Sequence, residues 1–131
     1  MPLAELTRQL RQGRCPSGAV VVTFDDGYRD NLLAALPVLE ASDVPATVFC
    51  TAGYVGSEQS FWWDRLAALL LAPERLPPTL AIDVGNLHWC QDLGPAVSSN
   101  SEPGARLAFY REVWARLRPL AEADRALALE A

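Results

Sequence analysis

Lysine is missing from this chain, and all 11 of its basic residues are arginine. That absence removes every mechanism built on a lysine: a phosphate-loop lysine, a Schiff base, or the lysine of a receiver domain. The basic residues are outnumbered by 16 acidic ones, for a net charge of -5. No basic stripe of the kind that neutralises phosphates is present, so nucleic acid is not an expected partner. Cysteine is sparse and odd in number. Cys15, Cys50 and Cys90 lie too far apart for a Cys-x-x-Cys metal knuckle and cannot all pair, so buried free thiols are expected. Long apolar runs are also absent. Arg and Glu interrupt the first twenty residues, and no stretch approaches the roughly 20 apolar residues of a membrane span. As written, the chain is expected to be cytoplasmic, without a membrane span.

What the chain does have is a globular balance, with 50% apolar and 21% charged residues over a length of 131, enough for about one modest core. Leu3, Leu6 and Leu10 recur at helical spacing before Gly13 stops the pattern. From Ala19 to Phe24 runs a continuous, largely β-branched segment bounded by turn residues, the pattern of a central strand buried on both faces. Leu32, Leu33, Leu36 and Leu39 then mark a helix over 30–41. Pro37 inside it predicts a kink or a shifted helix start. A second strand is expected at 46–50, which makes 19–50 one strand–helix–strand unit with parallel strands and sets the fold class as α/β.

Beyond residue 58 the pattern changes. A helix is expected from Phe61 to Ala72, then two short strands at 79–84 and 87–93 around Gly85-Asn86, then a polar loop from Gly94 to Gly104. A last full helix should span Ala105 to Arg118, with Leu107, Tyr110, Val113, Trp114 and Leu117 on one face. That face is predicted to pack against Leu66, Leu69 and Leu70. A further helical pattern runs to the final residue without a stop signal, so the terminus is expected to cut an element. Trp114 reads as core. Trp62 and Trp63 are adjacent and cannot both face inward on one helix, so one should be partly exposed, and the three indoles are also candidates for a sugar-stacking surface.

The chemistry sits in Thr23-Phe24-Asp25-Asp26-Gly27-Tyr28. Two adjacent carboxylates at the carboxyl end of a parallel strand lie where α/β folds place their active sites. One can bind a metal while the other acts as a general base on a metal-bound water. Gly27 lets the backbone turn sharply. The plainer reading is that Asp-Asp-Gly is only a turn. Two observations weigh against it: the segment after Tyr28 is helical rather than a returning strand, and two charges beside an apolar strand are costly unless a cation or donors meet them.

With its flanks, this segment resembles the NodB-homology polysaccharide deacetylases, carbohydrate esterase family four. The likeness runs from about Leu3 to Arg65: Thr-Phe-Asp-Asp-Gly, the helix after it, Val44-Pro45-Ala46-Thr47, the second strand, and Phe61-Trp62-Trp63-Asp64-Arg65 as a subgroup's insertion. The resemblance implies the N-terminal part of a distorted (β/α) barrel, truncated. Residues 1–58 would form the partial core and 59–131 a mainly helical insertion. It also implies Asp25 as catalytic base, Asp26 as ligand of a divalent metal, usually zinc, and an N-acetylated polysaccharide or oligosaccharide as substrate.

The family completes its metal site with a His-[Ser/Thr]-x-x-His motif. Here His88 is the sole histidine and reads as a surface or half-buried residue. Arg75-Leu76-Pro77 matches a later family motif by three letters only and is set aside as chance. The sequence therefore reads as a fragment of a hydrolase of carbon–nitrogen bonds. The alternatives are an inactive remnant or split-gene fragment and, less favoured, a magnesium-dependent phosphoryl-transfer domain, which the missing lysine and the adjacency of Asp25 and Asp26 oppose.

Overall fold

The computed structural model describes residues 1–98 and 103–130, which form two compact units, 1–58 and 59–131. The fold is mixed α/β, as the alternation of patterns requires.

In the first unit, α1 spans Leu3–Arg11 and β1 spans Val22–Phe24. The N-terminal ammonium donates to the Val20 carbonyl at 2.9 Å, which ties the start of the chain to the run leading into β1. Strand β2, Ala46–Val48, pairs parallel with β1 in the register Val22↔Ala46, Thr23↔Thr47, Phe24↔Val48. Between the strands, Asn31–Ala35 forms a π-helical turn that leads directly into α2, Leu36–Ala41. Pro37 accounts for the change of pitch. It has no N–H to donate, and its ring would clash with the carbonyl four residues back, so the preceding turn widens and a regular helix begins with proline in its first turn.

Both strands are shorter than the apolar runs that contain them, and β1 is not buried on both faces. Val22 and Phe24 are half-buried and Thr23 is exposed. Among the described residues the sheet has only these two strands, and no residue of this unit is fully buried. Leu32 and Leu33 on the π turn, and Val48 and Phe49 at the end of β2, remain exposed. A parallel pair normally has layers on both faces and neighbours at both edges. Within this unit neither is complete.

The second unit holds all the fully buried apolar residues among those described, from Phe61 to Leu129. Helix α3 spans Trp62–Leu70. Strands β3, Thr79–Val84, and β4, Leu87–Asp92, form an antiparallel hairpin around Gly85-Asn86. One face of the hairpin carries Ile82 and Val84 into the core. The other shows Ala81 opposite Cys90 and Asp83 opposite His88 to solvent. This alternation explains why Cys90 is exposed. Cys15, in the irregular segment between two turns, and Cys50, past the end of β2, are exposed too, so all three thiols are free but none is buried as expected.

Helix α4, Gly94–Ser98, occupies the start of what read as a polar loop, and residues 99–102 of that loop lie outside the described residues. Helix α5, Pro103–Leu117, packs on α3. The contact face differs from the expected one by about one position. Phe109, Val113 and Leu117 point inward with Arg106, whereas Leu107 and Leu69 are exposed. Arg106 is accommodated because its guanidinium meets the carbonyls of Pro73, Glu74 and Val97. Trp62 and Trp114 stack with ring centroids 5.8 Å apart, and Trp62, Trp63 and Trp114 are all half-buried. Helix α6, Glu122–Ala128, ends with Leu129 in a turn, so the helical pattern stops short of the last described residue. Among the described residues no helix is long and apolar enough to cross a membrane.

Candidate active site

The chain leaves β1 at Phe24 and turns at once. The Gly27 N–H donates to the Asp25 carbonyl at 2.8 Å, closing a three-residue turn centred on Asp26. Asp26 has φ 67 and Gly27 φ 78, two successive residues in the left-handed region. Aspartate tolerates that region better than most side chains, but a three-residue turn at positive φ is rare and strained, and such strain concentrates at functional sites. Gly27 is required on two counts. Besides its φ, a Cβ there would lie 2.9 Å from the Cys50 sulfur.

That close approach follows from the parallel register. Continuing Phe24↔Val48 past the strands brings Asp25-Asp26 beside Phe49-Cys50, and the Phe49 N–H donates to the Phe24 carbonyl at 2.8 Å. The carboxyl ends of both strands therefore meet at one place. Thr51 completes it by donating its hydroxyl to Asp26 Oδ1 at 3.3 Å. Asp25 is exposed and Asp26 half-buried. The cost of burying two charges is therefore small here. What opposes a plain hairpin turn is the parallel pairing of β1 with β2.

Beside the turn lies an open groove of about 740 Å³, lined by Phe24, Gly27, Tyr28, Leu36, Val48 and Cys50 among others. Asn31 lines it as well, and its Nδ2 is buried without a hydrogen-bond partner among the described residues. Sequence reasoning singled out Asp25 and Asp26 but missed Thr51. The signal was available: once 19–24 and 46–50 are paired as parallel strands, the residues just past both ends must be neighbours.

The oxygen donors at the turn come from Asp25, Asp26 and Thr51, and the free Cys50 thiol lies close by against Gly27. Among the described residues no group of three His, Cys, Asp or Glu side chains could hold a metal ion. His88 lies in the second unit, on the outward face of the hairpin, with its Nδ1 against Asp83 Oδ1 at 2.5 Å and both side chains exposed. A catalytic zinc takes about three protein ligands and keeps one open position, so the residues present do not by themselves fit one.

Residues 12–76 match the polysaccharide deacetylase family model. This stretch is therefore similar to part of a polysaccharide deacetylase domain, in line with the resemblance of the Thr-Phe-Asp-Asp-Gly motif and its flanks. The match takes in β1, the Asp25-Asp26 turn, α2 and β2, crosses the boundary between the two compact units, and includes α3. Among curated proteins, the chain is 35% identical over 63 residues to YxkH of Bacillus subtilis (strain 168), named as a candidate polysaccharide deacetylase. That alignment covers 47% of this chain and 23% of the relative's length. No solved structure matches the chain.

Proposed function

We propose that this chain carries the first part of the active site of a polysaccharide deacetylase, a hydrolase of carbon–nitrogen bonds other than peptide bonds that removes N-acetyl groups from an amino-sugar polymer. The observation that carries the reading is the Thr23–Tyr28 motif set at the carboxyl end of parallel strand β1, inside the stretch that matches the family. Strand β1 with β2 would begin a distorted barrel of parallel strands. Residues 1–58 would be its partial core and 59–131 a mainly helical insertion. The uncovered faces and the two-stranded sheet of the first unit support this division.

In this reading Asp25, exposed beside the turn, takes the proton from the attacking water as general base. Asp26 serves as one ligand of a divalent metal, zinc by resemblance. The described residues do not complete that metal's coordination, so its other ligands come from outside them.

The test is acetate release from N-acetylated chito-oligosaccharides. The 131-residue chain should release none and bind zinc weakly, because carboxylates without imidazoles hold first-row metals poorly. A longer protein supplying a His-[Ser/Thr]-x-x-His segment should release acetate. In it, Asp25→Asn should abolish turnover while largely sparing metal binding, and Asp26→Asn should lose the metal. Chelator-sensitive acetate release by the 131-residue chain would overturn the incomplete site, and a longer protein without any release would overturn the deacetylase assignment.

A further inference from the structure

We propose that Thr51 is a positioning residue of this site, one that holds the Asp26 carboxylate in a single orientation from the end of the neighbouring strand. The inference rests on the reading of Asp26 as a functional carboxylate and adds a residue that the motif does not contain.

Three observations carry it. The first is reach: the Thr51 hydroxyl lies 3.3 Å from Asp26 Oδ1, a contact spanning 25 positions in sequence, and Oδ2 has no partner among the described residues. One oxygen is thus held and the other left open.

The second is that the hydroxyl is not used locally. Thr51 stands at the N-cap of a short 3-10 turn, Ala52–Tyr54, where a threonine side chain usually accepts a hydrogen bond from its own turn. Here it makes no such cap bond, while its backbone carbonyl accepts from the Tyr54 N–H at 2.9 Å and fixes the residue in place. The side chain is directed across the strand ends instead.

The third is that Asp26 needs external support. Its backbone sits at φ 67 in a strained turn, and no other side chain among the described residues hydrogen-bonds its carboxylate. A half-buried carboxylate on such a turn, with no donor to hold it, would sample several rotamers. A charge-assisted hydrogen bond from a fixed donor removes that freedom before any ligand arrives, which is how a surrounding residue preorganises a site. The close seat of Gly27 against Cys50 brings Thr51 within reach.

The experiment uses the 131-residue chain and two substitutions that separate the hydroxyl from the bulk of the side chain. Thr51→Val keeps the shape and loses the O–H, and Thr51→Ser keeps the O–H and loses the methyl. The Asp26 Hα–Hβ couplings and carboxyl carbon shift are measured by NMR in all three proteins. In the parent chain the two couplings should be unequal, reporting one dominant rotamer. In Thr51→Val they should converge as preference for that rotamer falls roughly fivefold to tenfold, and in Thr51→Ser they should return to the parent values.

Averaged couplings already present in the parent, identical couplings in all three, or a larger change in Thr51→Ser than in Thr51→Val would each overturn the proposal. The last result would assign Thr51 a packing role only. None of these outcomes depends on acetate release, so failure of the deacetylase reading is told apart from failure of this one.

Discussion

Gly27→Ala is the substitution whose consequence the structure sets most directly. An L-residue in the left-handed region costs roughly 1–2 kcal/mol, and the native φ of 78 cannot relax without dismantling the turn. The new Cβ would also lie 2.9 Å from the Cys50 sulfur and 3.3 Å from its Cβ, so one strand end must move away from the other. Overpacking of that kind costs about 1–3 kcal/mol. Against this stands a gain of about 0.4–1 kcal/mol from the reduced entropy of the unfolded chain.

The net expectation is a loss of about 2–3 kcal/mol, confined to the first unit. Because the chain has two units, a single global unfolding energy is a poor readout. Amide hydrogen exchange at Phe49, whose N–H is bonded to the Phe24 carbonyl, reports the strand ends themselves. Exchange there should speed up by roughly 30-fold to 150-fold.

Cys50→Ala in the same background removes the sulfur but leaves the positive φ and the 3.3 Å contact with the Cβ of residue 50, so it should recover the larger share of the steric part and retain a loss of about 1 kcal/mol or somewhat more. Unchanged exchange in Gly27→Ala, or a double variant no better protected than the single one, would refute the reasoning.

Three further outcomes are expected. Arg106→Met should destabilise the second unit by about 2 kcal/mol in denaturant followed by tryptophan fluorescence, because the Pro73, Glu74 and Val97 carbonyls lose their donor. A midpoint equal to that of the parent would show that those carbonyls find other partners. Hydrogen bonds from Arg8 and then Gln9 lower the Glu5 carboxyl from 4.5 to about 2, so it should titrate near that value by carbon NMR and return toward the ordinary range in Arg8→Gln. The sign is that of a depressed acid: any support for α1 is complete above pH 4.5 and fades as pH falls toward 2. Lying at the surface, where solvent screens it, the pair adds little to overall stability. Tyr110 is shifted the other way, raised above 10 by burial and then by the charge of Asp64. Its contribution is therefore present below pH 10 and lost as pH rises above it, and Tyr110→Phe should remove that part of the alkaline loss of stability.

Periodicity and motif were local properties, and they were legible in the residues themselves. The longer helices, the hairpin around Gly85-Asn86 and the place of Asp25-Asp26 at a strand end follow from spacing within a dozen residues, because backbone geometry repeats over that distance, whereas the short α4 did not show in a segment that read as a polar loop. Burial and partnership were not legible in this way. That Arg106 points inward while Leu107 does not depends on carbonyls 32 and 33 positions away. That the largely β-branched run at 19–24 stays half-exposed depends on how many strands join it. Thr51 meets Asp26 only once the register of β1 against β2 is set. The sequence by itself determined which segments turn, coil or extend and which carboxylates share a turn. Only the tertiary structure decided what each side chain faces, because an interior position or a hydrogen bond belongs to two elements at once and is set by how their surfaces meet.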